Sequence, residues 1–177
     1  MENKQNVWKN ALNWGLIVGV VLIIYSVLMY FLDVNLEEWV KWIAFIILLA
    51  GIVYSTIQYR DNVLGGSITY TQALGFGVVI SLYAAVISAV YSYLEMTIID
   101  PDLIGKMIAI EEEKMLSQGI PDNQIEQSME IIKMIMKPGI LTLIYIPVLT
   151  FIGFVFSLIT SIFLKKEGVS ETFDDVE

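Results

Sequence analysis

Four long stretches without a charged residue limit the possible folds of this chain more strongly than any other feature. They cover residues 10–32, 42–59, 70–94 and 138–164. A helix of about 20 apolar residues crosses the roughly 30 Å hydrocarbon core of a bilayer. We therefore predict an all-α integral membrane protein, a bundle of four transmembrane helices in a single membrane domain that covers residues 1–177. The predicted spans are about 11–32, 40–59, 69–94 and 139–164.

The composition supports a membrane protein and excludes several functions. Hydrophobic residues make up 56% of the chain and charged residues 16%, whereas soluble domains have about 45–50% and 25%. Cysteine and histidine are both absent, which removes disulfides and the usual ligands of zinc and haem. The net charge of −9 argues against nucleic acid, because phosphate binding needs a basic face. We expect no cofactor and no metal.

Small residues recur every three or four positions in the third and fourth predicted spans. The third span carries Gly77, Ser81, Ala84, Ala85, Ser88, Ala89 and Ser92, and the fourth carries Thr150, Gly153, Ser157 and Ser161. Such stripes let helices approach closely where lipid provides no hydrophobic drive between them. We predict that the third span is the central helix. Gly15 and Gly19 form a GxxxG pair in the first span, which serves either close packing within the fold or a dimer contact.

A polar group precedes the third span. Its side chains, together with one at the end of the second span, are Gln58, Thr69, Tyr70, Thr71 and Gln72. Ser67 or Thr69 can cap the helix by accepting its first free N–H groups. Capping and hydrogen bonds between helices are the simpler interpretation of the group. The alternative is a polar vestibule that binds a headgroup or a small solute.

The polar loop at residues 95–138 is predicted to form two helices. It contains nine acidic residues and four lysines. Asp100 suits an N-cap and Gly119 suits a helix end, while Asn123 and Glu126 have the spacing of a capping box. We predict a helical hairpin that lies on the membrane surface or covers the bundle.

The distribution of lysine and arginine predicts the orientation. Four spans place both termini on one side, together with Lys4, Lys9, Arg60, Lys165 and Lys166. The opposite side holds Lys41, Lys106, Lys114, Lys133 and Lys137. The first group lies closer to the ends of the spans, where positive charge favours the cytoplasm. We therefore expect cytoplasmic termini, an extracytoplasmic hairpin, and a disordered acidic tail at residues 167–177.

The motif GSITYTQALGFG at residues 66–77 resembles a known family. The order of elements also fits: two spans, this motif, Asp100 and Pro101 before an acidic helical loop, and a last span that ends in SLIxxIFLKK. The resemblance is to small four-span bacterial membrane proteins, found mainly in Bacteroidetes, that are grouped as domain of unknown function number 4199. It covers about residues 8–166. It implies the cytoplasmic membrane of a Gram-negative cell and assigns no catalytic residue.

Three functions are compatible with the sequence. No Asp, Glu, Lys or Arg falls in the middle of a span, although coupled transporters usually need such a residue there. No catalytic motif is present either. We expect no enzyme, but an accessory or scaffold protein that packs through its stripes with itself or another membrane protein, in contact with membrane lipids. The alternative is a passive transporter or channel-like protein for a small solute or lipid, past Gln58 and Gln72. A lipid-modifying enzyme would need Glu95, Asp100 and Asp102 to converge, and the same carboxylates could hold a divalent cation only if they met.

Overall fold

The computed structural model describes residues 2–166, with side chains from residue 7 onward. Within this part of the chain six α-helices follow one another and no strand is formed. The helices are α1 (Glu2–Phe31), α2 (Glu38–Asn62), α3 (Tyr70–Leu94), α4 (Leu103–Ser117), α5 (Asp122–Ile135) and α6 (Pro138–Leu164). The all-helical class is confirmed. The acidic tail predicted at residues 167–177 lies outside the described residues.

Four of these helices are long and apolar enough to cross a membrane. They are Val7–Phe31, Glu38–Asn62, Tyr70–Ile99 and Pro138–Leu164. The third candidate extends past the end predicted at residue 94, because a π-helical segment, Glu95–Ile99, continues α3. Glu95 therefore belongs to the span rather than to the loop that follows.

Helix α3 lies at the centre of the bundle. It packs most extensively against α6 and α1, and less extensively against α2. Its core side chains Phe76, Ile80 and Ala84 are fully buried. The ring of Phe76 stacks on Tyr59 of α2, with 4.1 Å between the ring centroids.

The contact between α3 and α6 depends on small residues from both helices. Gly77 faces Ser157, and Gly153 faces Ser81 so closely that a Cβ at Gly153 would overlap the Ser81 side chain. The Ser81 hydroxyl donates to the Gly77 carbonyl at 2.8 Å, and the Ser157 hydroxyl donates to the Gly153 carbonyl at 2.7 Å. Each hydroxyl is thus satisfied within its own helix, which lets the two backbones approach. Ala85 is also fully buried.

The glycine pair of α1 faces α3. A Cβ at Gly15 would lie 3.0 Å from the Ile80 carbonyl oxygen, and one at Gly19 would lie 3.3 Å from the Ala84 Cα. In this structure the GxxxG pair is therefore used within the chain.

The end of the bundle that carries the chain termini is closed by backbone contacts; we call it the termini end. Ile68 and Lys166 exchange two backbone hydrogen bonds, of 2.8 and 2.9 Å. Thr69 caps α3: its hydroxyl accepts from the Gln72 backbone N–H at 3.3 Å, and the Gln72 side chain accepts from the Thr69 N–H at 3.0 Å. The prediction that Thr69 can cap this helix is confirmed.

Helices α4 and α5 pack together as a two-helix hairpin at the opposite end, which we call the hairpin end. Gly119 has φ +71° just after α4, as expected of a helix stop. The predicted N-cap was wrong, because Asp100 lies in the turn after the π segment, where its N–H binds the Glu95 carbonyl. Helix α4 begins only at Leu103, and its N-cap residue, Asp102, makes no side-chain cap bond.

The capping box predicted at Asn123 and Glu126 was also wrong. Helix α5 begins one residue earlier, at Asp122, and the N-cap position is Pro121, which has no side chain that can cap. The proline holds φ at −61° with an extended ψ of 143°, which suits the residue before a helix. The start of this helix is thus set by backbone geometry.

Candidate functional site

The predicted polar vestibule at the termini end consists of side chains that bond to near neighbours. Gln72 is occupied in the capping box, and the hydroxyls of Thr69 and Thr71 lie 3.3 Å apart. Gln58 accepts from the Asn62 side chain at 2.6 Å, one turn along α2. Tyr70 is half-buried. The structure brings Thr69, Thr71 and Gln72 together at the start of α3. Gln58 bonds separately, along its own helix.

Two adjoining cavities lie instead at the hairpin end, each of about 260 Å³. Four residues line both: Ser26, Asn35, Lys41 and Glu95. The first cavity extends into the bundle between α1, α2, α3 and α6, and the second lies between the bundle and α4. Liquid water occupies about 30 Å³ per molecule, so each cavity has the volume of roughly eight or nine waters. We call the pair the Glu95 cavity.

Glu95 is the charged group buried between the two cavities. It is the first residue of the π segment and is only 7% exposed. Within residues 7–166 no hydrogen bond or ion pair involves its carboxylate. A buried charge without a partner is costly, and single-turn π segments are frequent at functional sites.

A buried hydroxyl without a partner lines the same cavity. Among the described side chains, Ser88 Oγ is the buried polar atom without a hydrogen bond, although the Tyr145 hydroxyl is close enough to interact with it. Ser81, seven residues earlier on α3, donates to the carbonyl four residues back. The inner cavity therefore offers both a carboxylate and a hydroxyl that can accept hydrogen bonds from a ligand.

Aromatic and basic side chains complete the walls. Tyr25, Tyr91 and Tyr145 line the inner cavity, and the Tyr25 hydroxyl donates to the Val40 carbonyl at 3.0 Å. Lys41 lines both cavities yet forms no ion pair with any described residue. A positive and a negative side chain thus share one cavity without pairing to each other.

The hairpin forms the roof of the outer cavity through one face of α4. Leu103, Met107 and Ile110 line it, together with Glu111. Lys114 of α4 reaches Glu38 at the start of α2, at an N–O distance of 3.5 Å between exposed side chains, and such exposed pairs contribute little. The Lys114–Glu38 pair therefore adds little to the attachment of α4.

The acidic residues that were candidates for a joint site do not converge. The Asp100 carboxylate, which is nine-tenths buried, accepts from Lys106 Nζ at 2.8 Å. Hydrogen bonding to Asp100 raises the pKa of Lys106 above its ordinary value of 10.5. Asp102 is exposed. Over residues 2–166 no group of three potential metal ligands occurs.

Three exposed aromatic side chains of α1 and α2 lie at the hairpin end. They are Phe31, Trp39 and Trp42, and Trp42 is 68% exposed. Tryptophan collects where a membrane meets water, so these side chains are typical of a membrane–water boundary.

An apolar groove of about 310 Å³ lies lower on the same side of the molecule, between α1 and α2. Its walls are Trp14, Ile17, Val18, Val21, Ile47, Ala50, Gly51, Tyr54 and Ser55. The α1 residues that line the Glu95 cavity begin directly after Val21, and the α2 residues that line it end shortly before Ile47. One seam between two helices therefore carries an apolar groove and, next to it, a polar cavity.

The sequence places Glu95 at the end of a span, and the signal for its burial is its spacing. Ser81, Ser88 and Glu95 are seven residues apart, which is close to two helical turns. Glu95 therefore continues the small-residue stripe of α3.

Comparison with known proteins gives a family and no more. A family model described as "Protein of unknown function (DUF4199)" matches residues 13–166. No curated protein and no solved structure matches the chain.

Proposed function

The chain belongs to the family described as Protein of unknown function (DUF4199), and from that premise we propose that it is a non-enzymatic, multi-pass protein of the bacterial cytoplasmic membrane that binds a polar ligand in the Glu95 cavity. This differs from the passive solute or lipid transporter considered from the sequence, which would pass its ligand by Gln58 and Gln72 at the termini end. The four candidate spans and the family match support the membrane part of the proposal.

The buried state of Glu95 carries the proposal. Ionisable residues within membrane-spanning segments are rare and usually mark a pathway or a binding site. Glu95 lines two cavities and has no hydrogen-bond or ion-pair partner among the described residues. A ligand with a positive charge and hydrogen-bond donors would satisfy its carboxylate.

The scaffold hypothesis stays a prediction. It rests on the small-residue stripes together with the helical loop and the absence of a catalytic motif. Gly77, Gly153 and Ser157 pack between α3 and α6, while Gly15 and Gly19 pack between α1 and α3, so these five residues do not support a contact with another protein.

The orientation that we propose has the termini in the cytoplasm and the hairpin outside. Arg60, Lys165 and Lys166 lie at the termini end, close to the ends of α2 and α6. Positive charge at the ends of spans favours the cytoplasmic side. The Glu95 cavity then lies at the outer surface of the membrane.

Cysteine labelling tests the proposal cleanly because the chain has no cysteine of its own. Single variants Ser26→Cys and Ser92→Cys place a thiol in the cavity wall. We expect a membrane-impermeant thiol reagent, added to spheroplasts, to label both. Glu112→Cys, on the exposed face of α4, should be labelled from the same side.

Two matched controls distinguish cavity water from general exposure. Val90→Cys lies at a similar depth on the exposed, lipid-facing side of α3, and Ser161→Cys lies in the packed interior. Both should stay unlabelled until the protein is denatured. If the thiols at positions 26 and 92 were as unreactive as these controls, the cavity would not be open to water and the proposal would fail.

A further inference from the structure

The seam between α1 and α2 has the dimensions of an extended amphipathic ligand. The groove begins at Trp14, and the polar cavity reaches Met29 on the same helix. At about 1.5 Å per residue this seam is on the order of 20 Å long. Its lower part is lined almost wholly by apolar side chains, while its upper part ends at a carboxylate and a lysine.

The depth of the polar part favours a lipid headgroup over a solute held in mid-membrane. Trp39 and Trp42 flank Lys41 in the sequence and are exposed, as expected at the level of the headgroups. The apolar groove then lies at the level of the acyl chains. An acyl chain and a headgroup of one molecule would therefore meet surfaces of matching polarity.

The headgroup chemistry follows from Glu95, which lacks a partner among the described residues. Its carboxylate can accept hydrogen bonds, and it lines the cavity together with Tyr91 and Tyr145. A primary ammonium has three donors that can bond to a carboxylate, whereas a quaternary ammonium has none. Lys41 lines the cavity at the start of α2 and can pair with a phosphate.

We propose that this seam binds a single phospholipid with a primary ammonium headgroup, with the ammonium on Glu95, the phosphate on Lys41 and one acyl chain in the groove between α1 and α2. The inference rests on the ligand cavity proposed above and names its ligand. The same ammonium and phosphate also occur in free phosphoethanolamine, so the test must separate the lipid from the free headgroup.

Native mass spectrometry of the full chain in mild detergent measures the binding. Phosphatidylethanolamine, phosphatidylcholine and phosphatidylglycerol with identical acyl chains are added one at a time, and the fraction of protein that retains one lipid is measured. We expect phosphatidylethanolamine to be retained best. Glu95→Gln keeps the side-chain shape and should lower that affinity at least about tenfold, because hydrogen bonds to charged groups are the stronger ones.

The acyl-chain part is tested by filling the groove. Val21→Trp places a bulky ring in the groove wall, and Val86→Trp is the matched control on an exposed face of α3 with similar exposure, 41% against 45%. We expect Val21→Trp to weaken retention of phosphatidylethanolamine, and Val86→Trp to leave it unchanged. Free phosphoethanolamine should compete only weakly, since it lacks the chain.

Each contrary result has a separate meaning. Equal retention of the three lipids, with no effect of Glu95→Gln, would overturn the headgroup assignment, while labelling at positions 26 and 92 would leave the cavity proposal intact. If free phosphoethanolamine bound as tightly as the lipid, and Val21→Trp left the retention of phosphatidylethanolamine unchanged, the assignment to a lipid would be overturned. The ligand would then be a soluble zwitterion. Loss of thiol labelling would remove both proposals together.

Discussion

Two seams of the same bundle differ in the size of the residues that form them. Between α3 and α6, Gly77 faces Ser157 and Gly153 faces Ser81, and the backbones approach closely. Between α1 and α2 the side chains are mostly large. The atoms nearest to a Cβ added at Gly51 belong to the Val18 side chain. The first seam is closed, whereas the second leaves a groove and a cavity. Small residues thus determine where helices join, and their absence determines where a ligand can enter.

The largest expected effect on stability is in the closed seam between α3 and α6. In Gly153→Ala the new Cβ would overlap the Ser81 side chain on a neighbouring helix, which has no room to move. Overpacking of this kind costs about 1–3 kcal/mol, and we expect a value near the top of that range. Thermal unfolding in detergent measures it. Gly75→Ala, which meets nothing within 4 Å, is the control and should be neutral or stabilising.

The same change in the open seam should cost less. In Gly51→Ala the new Cβ would lie 2.8 and 3.1 Å from the two Val18 methyl groups. These atoms belong to one side chain that borders the groove, so we expect a cost at the bottom of the same range, about 1 kcal/mol. If Gly51→Ala destabilised the protein as much as Gly153→Ala in the same assay, the two seams would be equally tight and the comparison would be broken.

Two serines on α3 sharpen the comparison further. Ser81 donates to the Gly77 carbonyl inside the closed seam, so Ser81→Ala should cost about 0.5–1.5 kcal/mol. Ser88 makes no hydrogen bond in the Glu95 cavity, so Ser88→Ala should leave the stability unchanged or raise it slightly. Chemical unfolding of both variants in one detergent compares them. A loss at Ser88 equal to that at Ser81 would mean that its hydroxyl has a structural partner.

The smallest expected effect on stability is at the ion pair of Lys106 and Asp100, at the hairpin end. Because the Lys106 pKa is raised above 10.5 by its bond to Asp100, the pair stabilises the fold fully below about pH 10.5 and loses this contribution as the pH rises through the raised pKa. The melting temperatures of the wild type and Lys106→Gln should differ by a constant amount between pH 6 and 9, and the difference should shrink in more alkaline buffer. A difference that grew with alkaline pH would contradict this sign.

The sequence predicted well what depends on neighbouring residues. The four candidate spans follow from uninterrupted apolar runs, the Thr69 cap follows from a polar residue before a helix, and the Gly119 stop follows from a residue that tolerates a positive φ. The two caps that failed, at Asp100 and Asn123, were displaced by a π turn and by a proline. Neither displacement is visible in the spacing of the polar residues alone.

The sequence by itself determined that this chain forms apolar helices long enough to cross a membrane, because helix formation and span length depend on residues that are close along the chain. Only the tertiary structure decided which glycine meets which serine, that Glu95 is buried, and that the Gln72 side chain is bonded in the cap of α3. These outcomes depend on contacts between helices far apart in sequence. The side of a helix that faces a neighbour, rather than its composition, determines whether a polar group meets a partner, water or a ligand.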